Sequence, residues 1–118
     1  MTIADLHARV QAIFLRAGMN EVQAAALARV ITAGERDACK SHGIYRIEGA
    51  LRTLKAGKVR GDAIPRLAPG AGSAIVRVDA QGGFANPAFE LGLPVLAERA
   101  RDLGLAALVI NDCTHFSA

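Results

Sequence analysis

Apolar positions near the start of the chain recur at helical intervals, with Leu6, Val10, Ile13 and Phe14 on one face. Thr2 and Asp5 have the spacing of a capping box, with Asp replacing the usual Glu or Gln, so a first helix is predicted over residues 3–17. Gly18 offers a left-handed stop. Asn20 and Gln23 repeat the start signal for a second helix carrying Val22, Ala25, Ala26, Val30 and Ala33. Two helices joined by so short a turn should pack antiparallel. A third helix is predicted over residues 42–56 with Ser41 as N-cap, because a serine oxygen can accept from the unpaired amides of the first turn. At about 100° per residue, Ile44, Ile47, Leu51 and Leu54 form a stripe about 80° wide, centred about 160° from His42. Arg46 falls about 40° from His42, and Gly49 about 20° to its other side. His42 and Arg46 are therefore expected to share a face that the apolar stripe leaves open.

Between Gly57 and Gly72 the composition turns to Gly, Pro and charge, with Pro65 and Pro69, and residues 58–73 read as a loop and boundary. The β-branched run over residues 74–79 predicts a strand, ended by the turn chemistry of Gln81-Gly82-Gly83. Asn86 and Pro87 supply an N-cap and a first-turn proline for a helix reaching Leu103, with Pro94 expected to kink it or mark a boundary. After Gly104, the apolar run over residues 106–110 has the pattern of a strand covered on both faces and completes a β-α-β unit with parallel strands. The expected fold class is α/β: a helical hairpin plus third helix over residues 1–57, the loop, then the start of an α/β region over 74–118, all within one incomplete domain.

The 118 residues suit one core, and 52% hydrophobic against 21% charged residues favours packing over disorder. With aromatics at 4% and no Trp, that core must come from Ala, Leu, Ile and Val. Fourteen basic against 11 acidic residues is a mild excess. Its densest stretch, Arg52, Lys55, Lys58 and Arg60, lacks interleaved aromatics, which argues against nucleic acid and allows anionic small molecules. Cys39 and Cys113 are isolated, and no secretion signal or membrane-length apolar run is visible, so a cytoplasmic location is expected.

Ser41-His42-Gly43-Ile44-Tyr45-Arg46 is the richest chemical cluster. An imidazole can exchange a proton near neutral pH, and a guanidinium can hold a carboxylate by two parallel hydrogen bonds. Together they could grip a small 2-oxo, 2-hydroxy or 2-imino acid and serve its reacting heteroatom. The alternative is structural, with Ser41 only a cap, His42 a polar first-turn residue and Arg46 a solvated charge. Adjacent Ser and His side chains should diverge, and no orienting acid is identified, so a nucleophilic triad is not supported. His115, with Thr114 and Ser117, follows a buried strand where α/β proteins place ligands, and it reads equally as a donor to phosphate or substrate and as a polar loop residue. His7, His42 and His115 lack the spacing of a metal site, and no GxGxxG follows a strand.

Ser41-His42-Gly43-Ile44-Tyr45-Arg46 followed by Leu54-Lys55-Ala56-Gly57-Lys58-Val59 resembles the malate/L-lactate dehydrogenase family, which is unrelated to the Rossmann-type lactate dehydrogenases. Val76 to Ala80, Gly83-Phe84, Gly104 to Ile110 and Thr114-His115-Phe116 are similar to its later blocks. Thr114-His115-Phe116-Ser117-Ala118 looks more like the branch that reduces Δ1-piperideine-2-carboxylate and Δ1-pyrroline-2-carboxylate than the hydroxy-acid branch, which typically has His-Phe-Gly. The resemblance implies that Ser41 belongs to a proton relay, that His42 donates the proton and that Arg46 binds the substrate carboxylate. It further implies that His115, Phe116, Ser117 and Ala118 begin the NADP-binding segment of a larger non-Rossmann fold. NADPH is the implied cofactor, with NADH as alternative, and the whole protein is expected to be a homodimer. Family members are much longer, so a complementary C-terminal segment or chain is expected to complete the site. A malate, L-lactate or ureidoglycolate dehydrogenase is the competing enzymatic reading, and a non-catalytic remnant or interaction module the competing reading from another class.

Overall fold

Helix α1, Ile3–Arg16, opens on the expected capping box: Thr2 Oγ1 accepts from Asp5 N and Asp5 Oδ2 from Thr2 N, both at 3.1 Å. The Thr2 backbone N–H, helped by its hydroxyl, holds the Asp5 carboxyl below the usual carboxylate range. A value depressed in the folded state makes the box's contribution present above the unfolded Asp value of about 3.9 and lost as pH falls through the folded one. A carboxyl NMR titration should therefore place the Asp5 midpoint below that of an unfolded reference peptide; coincident midpoints would show that the box does not form. Helix α2, Glu21–Arg36, starts where Asn20 Oδ1 accepts from Gln23 N at 2.9 Å. The connection between α1 and α2 is short, and their apolar faces meet: Phe14, Leu27 and Ile31 are fully buried with Val10, Ala24 and Ala28. Each of those large side chains contributes roughly 2 kcal/mol by burial.

The coordinates are a computed structural model that describes residues 1–115; Phe116, Ser117 and Ala118, assigned above to the nucleotide segment, lie outside the described residues.

The third helix departs from expectation. Lys40–His42 form a single 3-10 turn, and α3 runs Arg46–Lys55 behind Tyr45, with no side-chain cap. Ser41 is therefore not its N-cap, and His42 and Arg46 do not lie on one helix. The break falls at Gly43, whose ψ of −140° is not helical. Ile47, Leu51 and Leu54 pack on the α1/α2 core as read, while Ile44, outside the helix, is 52% exposed.

Residues 58–73 are more than a loop. Val59 and Ala63 are buried, and β1, Arg66–Leu67, pairs antiparallel with β2, Ile75–Asp79. Helix α4, Ala85–Leu103, crosses over to β3, Ala107–Asn111, which pairs parallel with β2 from Ile75↔Ala107 to Asp79↔Asn111. The sheet order is β1-β2-β3, and the β-α-β unit is the expected one. Two details of α4 differ. Its N-cap is Phe84, with no side-chain cap, so Asn86 is buried within the first turn instead of capping it. Pro94 does not end the helix: it is exposed, and the helix is clamped to the sheet two residues earlier, where a Cβ at Gly92 would stand 2.6 Å from Leu108 Cδ1. Packing of that kind outweighs the loss of one helical hydrogen bond.

Candidate active site

The Ser-His-Gly segment is seated on the C-terminal end of α2. Cys39 N donates to Gly34 O at 2.7 Å, and the His42 carbonyl oxygen lies where a Cβ at Gly34 would be 2.6 Å away. Only a glycine lets the 3-10 turn lie this close to the helix. Within the turn, His42 is half-buried, and its Nδ1 lies 2.9 Å from Ser41 Oγ and 3.6 Å from Cys39 Sγ. Adjacent in sequence, Ser41 and His42 were expected to diverge; the tight turn brings them together instead. Both contacts use Nδ1, so Nε2 is the nitrogen they leave for a ligand, with the tautomer set by which partner donates. Arg46, half-buried, is the first residue of α3, one turn of chain beyond.

A cleft of about 700 Å³ lies between α2 and α4. Val30, Phe89, Leu93 and Ile110 give it apolar walls, and Cys39 and His115 border it. The thiol that touches His42 and the first residue of the expected nucleotide segment thus face one space, whereas Ser41, His42 and Arg46 are not among its lining residues. Asn86 also lines it; its Oδ1 is buried and has no hydrogen-bond partner among the described residues. Two carboxylates stand at the same cleft, and each is matched by a guanidinium. Arg29 Nε lies 2.7 Å from Glu90 Oε1, and Arg36 Nε lies 2.7 Å from Asp37 Oδ1. The hydrogen bond donated by Arg36 holds the Asp37 carboxyl below its usual range, and the one Arg29 donates to Glu90 raises the Arg29 guanidinium above its usual range. These exposed pairs contribute little to stability, but they keep the cleft from presenting unbalanced negative charge to an anion. No group of three or more His, Cys, Asp or Glu residues that could hold a metal ion occurs among the described residues, and no helix among them is long and apolar enough to cross a membrane.

Cys39, Asn86 and Glu35, whose Oε1 accepts from Ile44 N beside the turn, were not read as site residues from the sequence. Cys39 precedes His42 by three, the spacing that eclipses side chains in a 3-10 turn, so recognising that turn would have found it. The others depend on tertiary contacts.

The malate/L-lactate dehydrogenase family matches residues 1–118. The chain is 77% identical over 118 residues to a Δ1-pyrroline-2-carboxylate reductase of Agrobacterium fabrum, covering all of this chain and 34% of that protein. It is 49% identical over 121 residues to a Δ1-pyrroline-2-carboxylate/Δ1-piperideine-2-carboxylate reductase of Pseudomonas aeruginosa, covering 35% of it. Among solved structures, Δ1-piperideine-2-carboxylate reductase of Pseudomonas syringae superposes with a TM-score of 0.94 at 36% identity, over 100% of this chain and 35% of that one. Malate dehydrogenase of Entamoeba histolytica superposes with a TM-score of 0.84 at 21% identity, over 98% of this chain and 32% of that one, a likeness of fold. The chain spans about a third of the length of the curated relatives it matches.

Proposed function

The chain belongs to the malate/L-lactate dehydrogenase family, and from that premise we propose that, joined to the rest of its fold, it reduces the cyclic imines Δ1-pyrroline-2-carboxylate and Δ1-piperideine-2-carboxylate to proline and pipecolate. The observation that carries the reading is the 2.9 Å contact between Ser41 Oγ and His42 Nδ1. It fixes the ring through one nitrogen and leaves Nε2 to deliver a proton to the imine nitrogen. Arg46 receives the substrate carboxylate, for which its planar guanidinium is suited. Ser41, which is exposed, orients the imidazole and relays a proton from solvent to Nδ1, taking one up as it gives its own, while Nε2 gives its proton away. NADPH, when bound, supplies the hydride that goes to the imine carbon.

The cleft fits part of such a cofactor: apolar walls suit a flat ring, and Asn86 Oδ1, without a partner among the described residues, suits an N–H donor such as a carboxamide. His115 at its edge is the proposed contact to the nucleotide, with Phe116, Ser117 and Ala118 continuing that segment. NADPH over NADH, a homodimer, and action in the cytoplasm belong to the same proposal. The names of the relatives support the imine over the hydroxy acid as substrate.

The test is a comparison of substrates on the chain in complex with the complementary two thirds of its fold. NADPH should be consumed in proportion to added Δ1-pyrroline-2-carboxylate. Oxidation of malate, lactate or ureidoglycolate at a greater kcat/KM would transfer the assignment to a 2-hydroxyacid dehydrogenase. A folded, nucleotide-bound complex that turns over neither class would leave a non-catalytic module.

A further inference from the structure

The two groups proposed to act on substrate, His42 and Arg46, are separated by Gly43, Ile44 and Tyr45, and the first of these has the widest backbone freedom of any residue. Turn bonds inside the linker, such as Arg46 N to Gly43 O at 2.9 Å, shape it locally. Anchoring it to the body of the fold takes a group from outside it.

Glu35 occupies that place. It lies in the last turn of α2, with its side chain only 16% exposed, and its Oε1 accepts from Ile44 N at 2.9 Å. Gly43 is buried against the same carboxylate, which a Cβ at that position would strike. The second oxygen, Oε2, lies 3.8 Å from Lys40 Nζ, at the start of the 3-10 turn. One carboxylate therefore reaches both sides of His42: Lys40 before it and the Gly43–Ile44 peptide after it. Gly34, one residue earlier on the helix, seats the His42 carbonyl. No pattern local to residues 40–46 contains this information.

We infer that Glu35 is a positioning residue: by holding the Ile44 amide it sets the backbone between His42 and Arg46, and so the separation between proton donor and carboxylate clamp. The role rests on the function proposed above. Its physical basis is that a reaction needing two groups on one substrate is sensitive to small displacements, a shift of about 1 Å costing on the order of 100-fold in rate. Glu35 itself touches no reacting atom.

The experiment uses the assembled complex with Δ1-pyrroline-2-carboxylate and NADPH. Glu35→Ala, which removes the acceptor, should lower kcat by about 10- to 100-fold. It should also speed hydrogen exchange at the Ile44 amide. Glu35→Gln keeps an acceptor at Oε1 and should restore both, staying within about tenfold of wild type because a neutral acceptor makes a weaker hydrogen bond than a charged one. A merely structural residue would lower the unfolding temperature without this split between the two variants. Wild-type turnover is the internal reference. With wild type active, an alanine variant of unchanged kcat, or a glutamine variant as impaired as alanine, overturns the positioning role alone. Wild type without turnover overturns the functional reading and the role with it.

Discussion

Under the function proposed above, replacement of His42 by Asn is expected to lower kcat of the assembled complex on Δ1-pyrroline-2-carboxylate by about 10²- to 10⁴-fold, the usual contribution of a positioned proton donor. The loss should fall on kcat more than on KM, because Arg46 would still receive the carboxylate. Asparagine retains a polar atom near the position of Nδ1, so the 2.9 Å contact with Ser41 Oγ can be approximated while the Nε2 proton is removed. Steady-state kinetics with NADPH saturating would read the effect. A variant with kcat within about threefold of wild type would show that the imine nitrogen receives its proton elsewhere.

The largest expected effect on stability lies at Gln23, which is 1% exposed. Its Nε2 donates to Ala63 O at 3.1 Å and to Arg60 O at 3.3 Å, and its Oε1 accepts from Phe84 N at 3.1 Å. One side chain on α2 thus ties down both the segment before β1 and the entry to α4. Leucine matches its volume but offers no polar atoms. Asn20 Nδ2 would still serve Ala63 O, at 3.0 Å, and Ala63 N would still serve Arg60 O, at 3.3 Å, so the main loss is the bond at Phe84 N. With about 1–3 kcal/mol for removing one side of a buried hydrogen bond, Gln23→Leu should cost about 2 kcal/mol. Urea unfolding would measure this as a lower midpoint at unchanged slope. A loss below about 1 kcal/mol would mean that the apolar gain or a local shift compensates.

Gln23 also shows where sequence reasoning stops. The Asn20-x-x-Gln23 spacing marked the start of α2 correctly, yet it cast Gln23 as half of a capping box, whereas the side chain turns inward to partners 37 to 61 residues away. Caps written within four residues, such as Thr2 with Asp5, are visible in the chain because both partners are local. The start of α3 was misread for the opposite reason: Ser41 has the chemistry of a cap, but Glu35 on another element and the close seat at Gly34 fold residues 40–42 into a separate turn. Strand β1 has two residues, too few for any alternation to register, and exists through its pairing with β2. The β-α-β unit was legible because its strands are short β-branched or apolar runs flanking a helix-length segment. At the proposed site, the sequence offered candidate residues and not their geometry. The motif named Ser41, His42 and Arg46, while the cleft joining Cys39 to His115 depends on how α2 meets α4.

The sheet is also asymmetric at its two borders. On one side stands β1, two residues long, carrying Arg66 and followed closely by Pro69, which has no amide hydrogen to offer a neighbour. On the other stands β3, five residues long and apolar from Ala107 to Ile110, with β2 as its one neighbour among the described residues. Charge, brevity and proline discourage a further strand at the first border, and nothing comparable does so at the second. Extension of the pleated layer is therefore directional: additional backbone can be accommodated along Ala107–Asn111, and the short, proline-blunted flank stays closed.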